Sequence, residues 1–204
     1  MKDKNLEIRN LQHIELRKNE DDTYSRTIQG YAVRFNEESE NLGFYETIMP
    51  ESISQETLDK SDIFALLNHD ESKILARSKN GVGSLKLELR EDGLFYSFES
   101  PKTAIGDELL EHIKRGEITG SSFAMVVDAG GDKWEKRDGN YYRTITKIAQ
   151  LYDVSPVYQP AYSTTTAEAR SKEKMEELDA KIMAELDAKA KEIDDLCANL
   201  PLSE

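Results

Sequence analysis

The sequence predicts a mainly β fold with flanking helices (α+β), followed by a separate amphipathic helix at the C-terminal end. Three observations carry this expectation. Short runs rich in Val, Ile, Tyr and Phe recur between turn signals from Leu6 to Tyr158, one stretch from Pro101 to Arg115 changes to helical spacing, and from Thr166 onward Glu, Asp, Lys and Ala dominate. The 204 residues suffice for one good-sized domain with a buried core plus an appendage.

Leu6 to Arg17 alternates loosely, Asn19 to Thr23 breaks the pattern, and Thr27 to Phe35 returns as a strand in which Gly30 is a candidate bulge. Phe44 to Ile48 is a short strand closed by Pro50, and Ser52 to Leu58 suits a brief helix. Ile63 to Leu67 is a continuous apolar run, the mark of a strand buried on both faces. Ile74 to Arg77 and Ser84 to Leu89 follow, and Glu91-Asp92-Gly93 supplies the turn into Leu94 to Phe98. These are short antiparallel strands at the spacing of a barrel or sandwich.

The helix predicted over Pro101 to Arg115 repeats Ile105, Leu109, Leu110 and Ile113 on one face, with Gly116 placed to end it. A serine turn then runs into the apolar strand Phe123 to Val127. Asp128 to Asn140 reads as an exposed hairpin around Trp134, and Tyr141 to Ile148 and Leu151 to Tyr158 return as strands. Pro156 and Pro160 place the second of these at a sheet edge. Met175, Leu178, Ile182, Leu186, Ala190, Ile193, Leu196 and Leu200 fall three, four and seven apart, which predicts an amphipathic helix over 171–204 joined by a linker at 163–170 to a body spanning 1–162.

Composition excludes several classes. A net charge of −13 argues against a phosphate-binding surface, and so against nucleic acid. Mean hydropathy is −0.66, and no apolar run is long enough to span a bilayer. The start of the chain lacks the apolar core of a secretory signal, which predicts a cytoplasmic protein. A single cysteine, Cys197, supports neither a disulfide framework nor a metal cluster, and no cofactor or metal is expected.

The candidate chemistry lies around Ile118 to Val127. His69 stands at the exit of a buried strand, Ser121 and Ser122 follow Gly120, and Asp153 interrupts the apolar run Leu151 to Val157. Base, hydroxyl and carboxylate together can activate a serine for acyl transfer. A carboxylate in such a run costs several kcal/mol unless it is paired or solvated. Strand alternation groups Ser122 with Ala124 and Val126, and Ser121 with Phe123 and Met125; which set faces a cleft is left open by periodicity. His13, in a polar strand, and His112, beside Glu111, look ordinary, and Cys197 fits the apolar stripe of the tail.

Several stretches carry a resemblance beyond spacing. They are Gly30-Tyr31-Ala32 with Phe35-Asn36, Glu46-Thr47-Ile48-Met49-Pro50, Leu67-Asn68-His69-Asp70, Leu75-Ala76-Arg77, Asp92-Gly93-Leu94, Gly116 to Phe123, and Asp153-Val154-Ser155-Pro156-Val157 with Pro160-Ala161-Tyr162. In this order they resemble the prohead proteases of tailed bacteriophages, serine endopeptidases related in fold to the herpesvirus maturation protease, assemblin. The resemblance implies an antiparallel β-barrel of the herpesvirus-protease type. It maps the catalytic base onto His69, the nucleophile onto Ser122, two past the glycine, and the third member onto Asp153. Glutamate is the commoner residue at that place in the family and the related viral enzymes use histidine, so the shorter aspartate requires close strands.

The resemblance further implies cleavage of capsid and scaffold proteins, and of the chain itself between about Ser163 and Ser171, inside a viral procapsid in the host cytoplasm. A homo-oligomer is compatible with the tail. The competing class is a non-catalytic scaffold or assembly protein that oligomerises through its C-terminal helix.

Overall fold

The computed structural model describes residues 6–11, 14–20 and 24–158, together with 176–177, 179–181, 183–184 and 186–191 of the tail. The chain divides into two compact units, Met1–Ala167 and Glu168–Glu204. In the second, the described residues are helical, with Met183 and Leu186 exposed. The expected linker at 163–170, His13 and Cys197 lie outside the described residues.

The first unit begins with β1 (Glu7–Leu11), β2 (Ile14–Lys18), β3 (Tyr24–Arg34) and β4 (Tyr45–Ile48). A 3₁₀ turn at Pro50–Ser52 leads to α1 (Gln55–Lys60), whose start is capped by the Ser54 side chain accepting from Thr57 N. Then come β5 (Asp62–Leu66), β6 (Ile74–Lys79), the short β7 (Val82–Gly83), β8 (Lys86–Arg90) and β9 (Gly93–Glu99). The helix α2 (Ala104–Lys114) follows, and β10 (Gly120–Val127), β11 (Asp132–Arg137), β12 (Asn140–Ile145) and β13 (Ile148–Val157) complete the unit.

α2 starts later than the sequence suggested. Thr103 caps it by accepting from Gly106 N, which leaves Pro101 outside. Gly116 ends it with φ of 72°, the left-handed conformation that glycine adopts without penalty.

The strands form three sheets, in the orders β1-β10-β13-β5-β6-β7, β2-β3-β9-β8 and β11-β12-β4. None of the three closes on itself through the pairings of the described residues, so the closed barrel implied by the resemblance is not found. Ile28 and Val33 of β3, Leu94 and Tyr96 of β9, Ile63 of β5, Phe123 of β10, Val154 of β13 and Leu109 of α2 belong to one core shared by the two larger sheets. Pairing is antiparallel except for β13 with β5 and β12 with β4. The bulge in β3 falls between Tyr31 and Val33 rather than at Gly30.

β13 is not an edge strand. It runs between β10 and β5, with Pro156 opposite Ser121 near the strand's end. A proline forfeits one ladder donor, and near the end of the strand that loss leaves the rest of the pairing intact.

β1 is bound to the three-stranded sheet by a buried ionic cluster. Arg9 forks onto Glu46 of β4, Nε to Oε1 at 2.5 Å and Nη2 to Oε2 at 2.7 Å. Arg143 of β12 forks onto Glu7, Nη1 to Oε2 at 2.5 Å and Nη2 to Oε1 at 2.9 Å, and its Nε donates to Asp132 Oδ2 at 2.7 Å. Glu7, Arg9, Glu46 and Arg143 are all buried. Burial alone would push the Glu7 carboxyl up, but the hydrogen bond and charge of Arg143, joined by Arg9, outweigh it and hold Glu7 below the ordinary carboxylate value.

A group whose folded pKa is depressed contributes stability above its unfolded value and loses that contribution as pH falls through the folded value. The Glu7 contribution is therefore complete above about pH 4.5 and fades below it. Amide protection factors over Glu7–Leu11 are expected to fall on acidification before those of β5 and β13; protection that falls in step across all three would show that the cluster does not hold β1.

Candidate active site

Three elements converge beside the end of β13. The first is the turn leaving β5. Asn68 and His69 both have positive φ, 55° and 57°, a region that asparagine and histidine enter more readily than other non-glycine residues. The turn is held by Asn68 N donating to Pro156 O at 2.9 Å and Asp70 N donating to Leu67 O at 3.1 Å. Asp70 does not partner His69: its Oδ1 accepts from Ser72 N at 3.0 Å and from Ser72 Oγ at 2.6 Å. These hydrogen bonds lower the Asp70 carboxyl below its ordinary pKa, and the imidazole is left to reach across to β10 and β13.

The second and third elements are β10 and β13, antiparallel neighbours in which Ser122 faces Ser155 and Ala124 faces Asp153. His69 Nε2 lies 2.6 Å from Ser122 Oγ. On the other side of the ring, His69 Nδ1 lies 2.7 Å from Asp153 Oδ1. The sequence-predicted residues His69, Ser122 and Asp153 are thus brought together, and the aspartate spans the gap because β13 adjoins β10. The carboxylate is at contact distance from Nδ1 but lies off the axis of a well-formed N–H···O bond.

Asp153 is held from below. Ser155 Oγ donates to Asp153 Oδ1 at 2.6 Å and accepts from Leu66 N at 3.3 Å, which ties the carboxylate to β5. The side chain of Asp153 is 10% exposed and that of His69 is 21% exposed. Alternation separates the two serines, as neighbours on a strand must be. Ser121 Oγ pairs with Tyr96 OH of β9 at 2.5 Å inside the core, where burial pushes the tyrosine hydroxyl pKa well up. Ser122 alone meets the histidine.

Ser122 is 0% exposed. What covers it is β1, laid antiparallel on the edge of β10 with Asn10 opposite Ser122 and Arg9 opposite Phe123. Ser122 Oγ donates to Arg9 O at 2.9 Å. A main-chain carbonyl therefore already occupies the position beside the hydroxyl.

The remaining candidates are elsewhere. His112 bonds Glu117 through Nδ1 at 2.6 Å, which raises its pKa, and it takes no part in this cluster. No group of metal-binding side chains occurs among the described residues, and no described helix is long and apolar enough to cross a membrane. A cleft of about 460 Å³ bordered by Met49, Trp134 and Thr144 contains none of the three site residues.

Comparison with known proteins places the chain. Residues 12–181 match the family described as caudovirus prohead serine protease. The chain belongs to that family. No curated protein matches it. Among solved structures, the capsid assembly protease gp21 of bacteriophage T4 aligns with a TM-score of 0.51 at 13% identity, covering 76% of this chain and 98% of that one. At this identity the likeness is one of fold: a mainly β body with helices.

Sequence reasoning took Leu6 to Arg17 as one strand, where the structure has β1 and β2 in different sheets, and it missed the parts played by Arg9, Glu46 and Arg143. The available signal was charge in the wrong place: Glu7 and Arg9 share one face of an otherwise alternating strand, and Glu46 and Arg143 each sit between a tyrosine and a threonine inside a β-forming run.

Ser155→Ala is expected to leave a folded protein that is less stable by about 1–3 kcal/mol, because Asp153 loses a donor and Leu66 N loses an acceptor in a buried place. The corresponding fall in Tm is about 2–4 °C per kcal/mol for a chain of this size. An unchanged calorimetric transition would show that the Ser155 hydroxyl does not anchor the carboxylate.

Proposed function

We propose that the chain is a serine endopeptidase of capsid maturation in which Ser122 is the nucleophile, His69 the general base and Asp153 the group that orients it. The single observation that carries this reading is one imidazole touching a hydroxyl at 2.6 Å through Nε2 and a carboxylate at 2.7 Å through Nδ1. With Asp153 holding the proton on Nδ1, the Nε2 lone pair accepts the Ser122 proton as Oγ attacks the scissile carbonyl carbon. The imidazolium then protonates the leaving amine, and water, deprotonated by the same histidine, resolves the acyl-enzyme to a free carboxylate. No cofactor is needed for this sequence of steps.

The substrates in this reading are the capsid and scaffold proteins of the particle, cut inside the procapsid in the host cytoplasm. The chain also cuts itself between about Ser163 and Ser171, separating the protease body of 1–162 from the helical tail of 171–204, which docks onto scaffold or self-associates. These steps require β1 to leave Ser122, since a substrate carbonyl cannot approach an oxygen that is already covered.

Ser122→Ala and His69→Ala are expected to fold normally and to lose cleavage by about 10⁶-fold, with Asp153→Asn losing on the order of 10⁴-fold through the wrong imidazole tautomer. Intact mass measured over time, with co-assembled capsid and scaffold proteins, reads the loss. If wild type and Ser122→Ala both leave every partner whole in assembled particles, the chain is a non-catalytic assembly protein.

A further inference from the structure

We infer that Glu46 and Arg143 read the substrate, selecting an arginine immediately before the cut bond and an acidic residue two positions earlier. The inference rests on Ser122 being the nucleophile. β1 already makes the contacts a substrate strand would make. It adds to the free edge of β10 in antiparallel register, and the main-chain carbonyl bonded to Ser122 Oγ is that of Arg9. An extended peptide that pairs with the same edge and brings its scissile carbonyl to the same oxygen adopts the same register. The residue before the cut then takes the place of Arg9. The residue two earlier takes the place of Glu7, because alternate residues of a strand share a face.

What waits at those two places is charged and buried. Glu46 receives the Arg9 fork through both carboxylate oxygens, and Arg143 sends its Nη1 and Nη2 to the two oxygens of Glu7. Once β1 departs, Glu46 and Arg143 keep one contact with each other at 3.1 Å, and Arg143 keeps Asp132 through Nε. Glu46 Oε1 and Arg143 Nη2 lose the bonds that β1 supplied. A substrate with neutral side chains here leaves buried ionic groups short of partners, and one with the charges exchanged sets like against like. A site built to hydrogen-bond a particular group rejects its analogues strongly for this reason. The guanidinium fork fits Glu46 where an ammonium gives a single point of contact, so arginine is favoured over lysine.

The test uses the full chain carrying Glu7→Ala and Arg9→Ala, which takes one cation and one anion out of the cluster and frees the edge of β10. Labelling by a fluorophosphonate, absent when Ser122→Ala is added, reports a reactive serine whatever the peptide preference. The substrates are a peptide with the sequence of residues 6–13, LEIRNLQH, its charge-exchanged form LKIENLQH, and a form with lysine for arginine. Cutting between Arg and Asn is expected, with kcat/KM at least about tenfold above that for either altered peptide. Glu46→Gln added to the opened chain is expected to shrink that ratio.

If the serine labels and the three peptides are cut at equal rates, the specificity assignment is wrong while the serine protease reading stands. If the serine labels in no opened chain, both fall. Should the double substitution prevent folding, Glu7→Lys, which sets a third cation against Arg9 and Arg143, opens the same edge, and the same peptide ratios decide.

Discussion

The site depends on β13 lying between β10 and β5. Because β10 pairs with one side of β13, Ser122 and Asp153 come from adjacent strands, two residues out of step, and their side chains reach the same space. Because β5 pairs with the other side, the turn that leaves it carries His69 back over the end of β13, where Asn68 N is fastened to Pro156 O. One strand thus supplies the acid, sets the distance to the serine and anchors the turn that bears the histidine. Ser155 strengthens the arrangement by linking the acid to β5 through Leu66 N.

The ionic cluster around Arg143 is a different kind of interaction. Taking ions from water costs several kcal/mol each, and the pairing inside only roughly repays that cost, so such a cluster is a weak source of stability and a strong source of register. Here it decides where β1 lies: slipping β1 by one residue would turn Glu7 and Arg9 to the opposite face and leave Arg143 and Glu46 without the partners that β1 supplies. The same arithmetic makes the two body residues demanding hosts for whatever strand occupies that edge.

Much of the fold was legible because its strands alternate and its turns carry Gly, Asp and Asn. The existence of nearly every element follows from such patterns, including α2 through the spacing of Ile105, Leu109, Leu110 and Ile113. What could not be read was how strands pair at a distance. Pro156 suggested an edge, yet β13 is central, since one missing donor near a strand end is tolerated. The parallel pairings of β13 with β5 and β12 with β4 have no local signature. Of the site, His69 and Asp153 stood out as polar groups in apolar settings, and the resemblance chose Ser122 over Ser121. The structure then gives Ser121 its own occupation, a hydroxyl bonded to buried Tyr96. β1 was read as an ordinary strand because a sequence does not say which edge a strand covers.

Covering the serine also changes the proton inventory of the cluster. Ser122 has one hydroxyl proton and two acceptors within reach, His69 Nε2 at 2.6 Å and Arg9 O at 2.9 Å. While the proton points to Arg9 O, the short contact to Nε2 is favourable only if that nitrogen carries a proton of its own. A neutral ring protonated at Nε2 turns a bare Nδ1 toward Asp153, and a doubly protonated ring has no lone pair to accept anything. Neither form can act as a base toward Ser122. The strand over the serine thus buries its hydroxyl and gives that hydroxyl a second acceptor beside the imidazole.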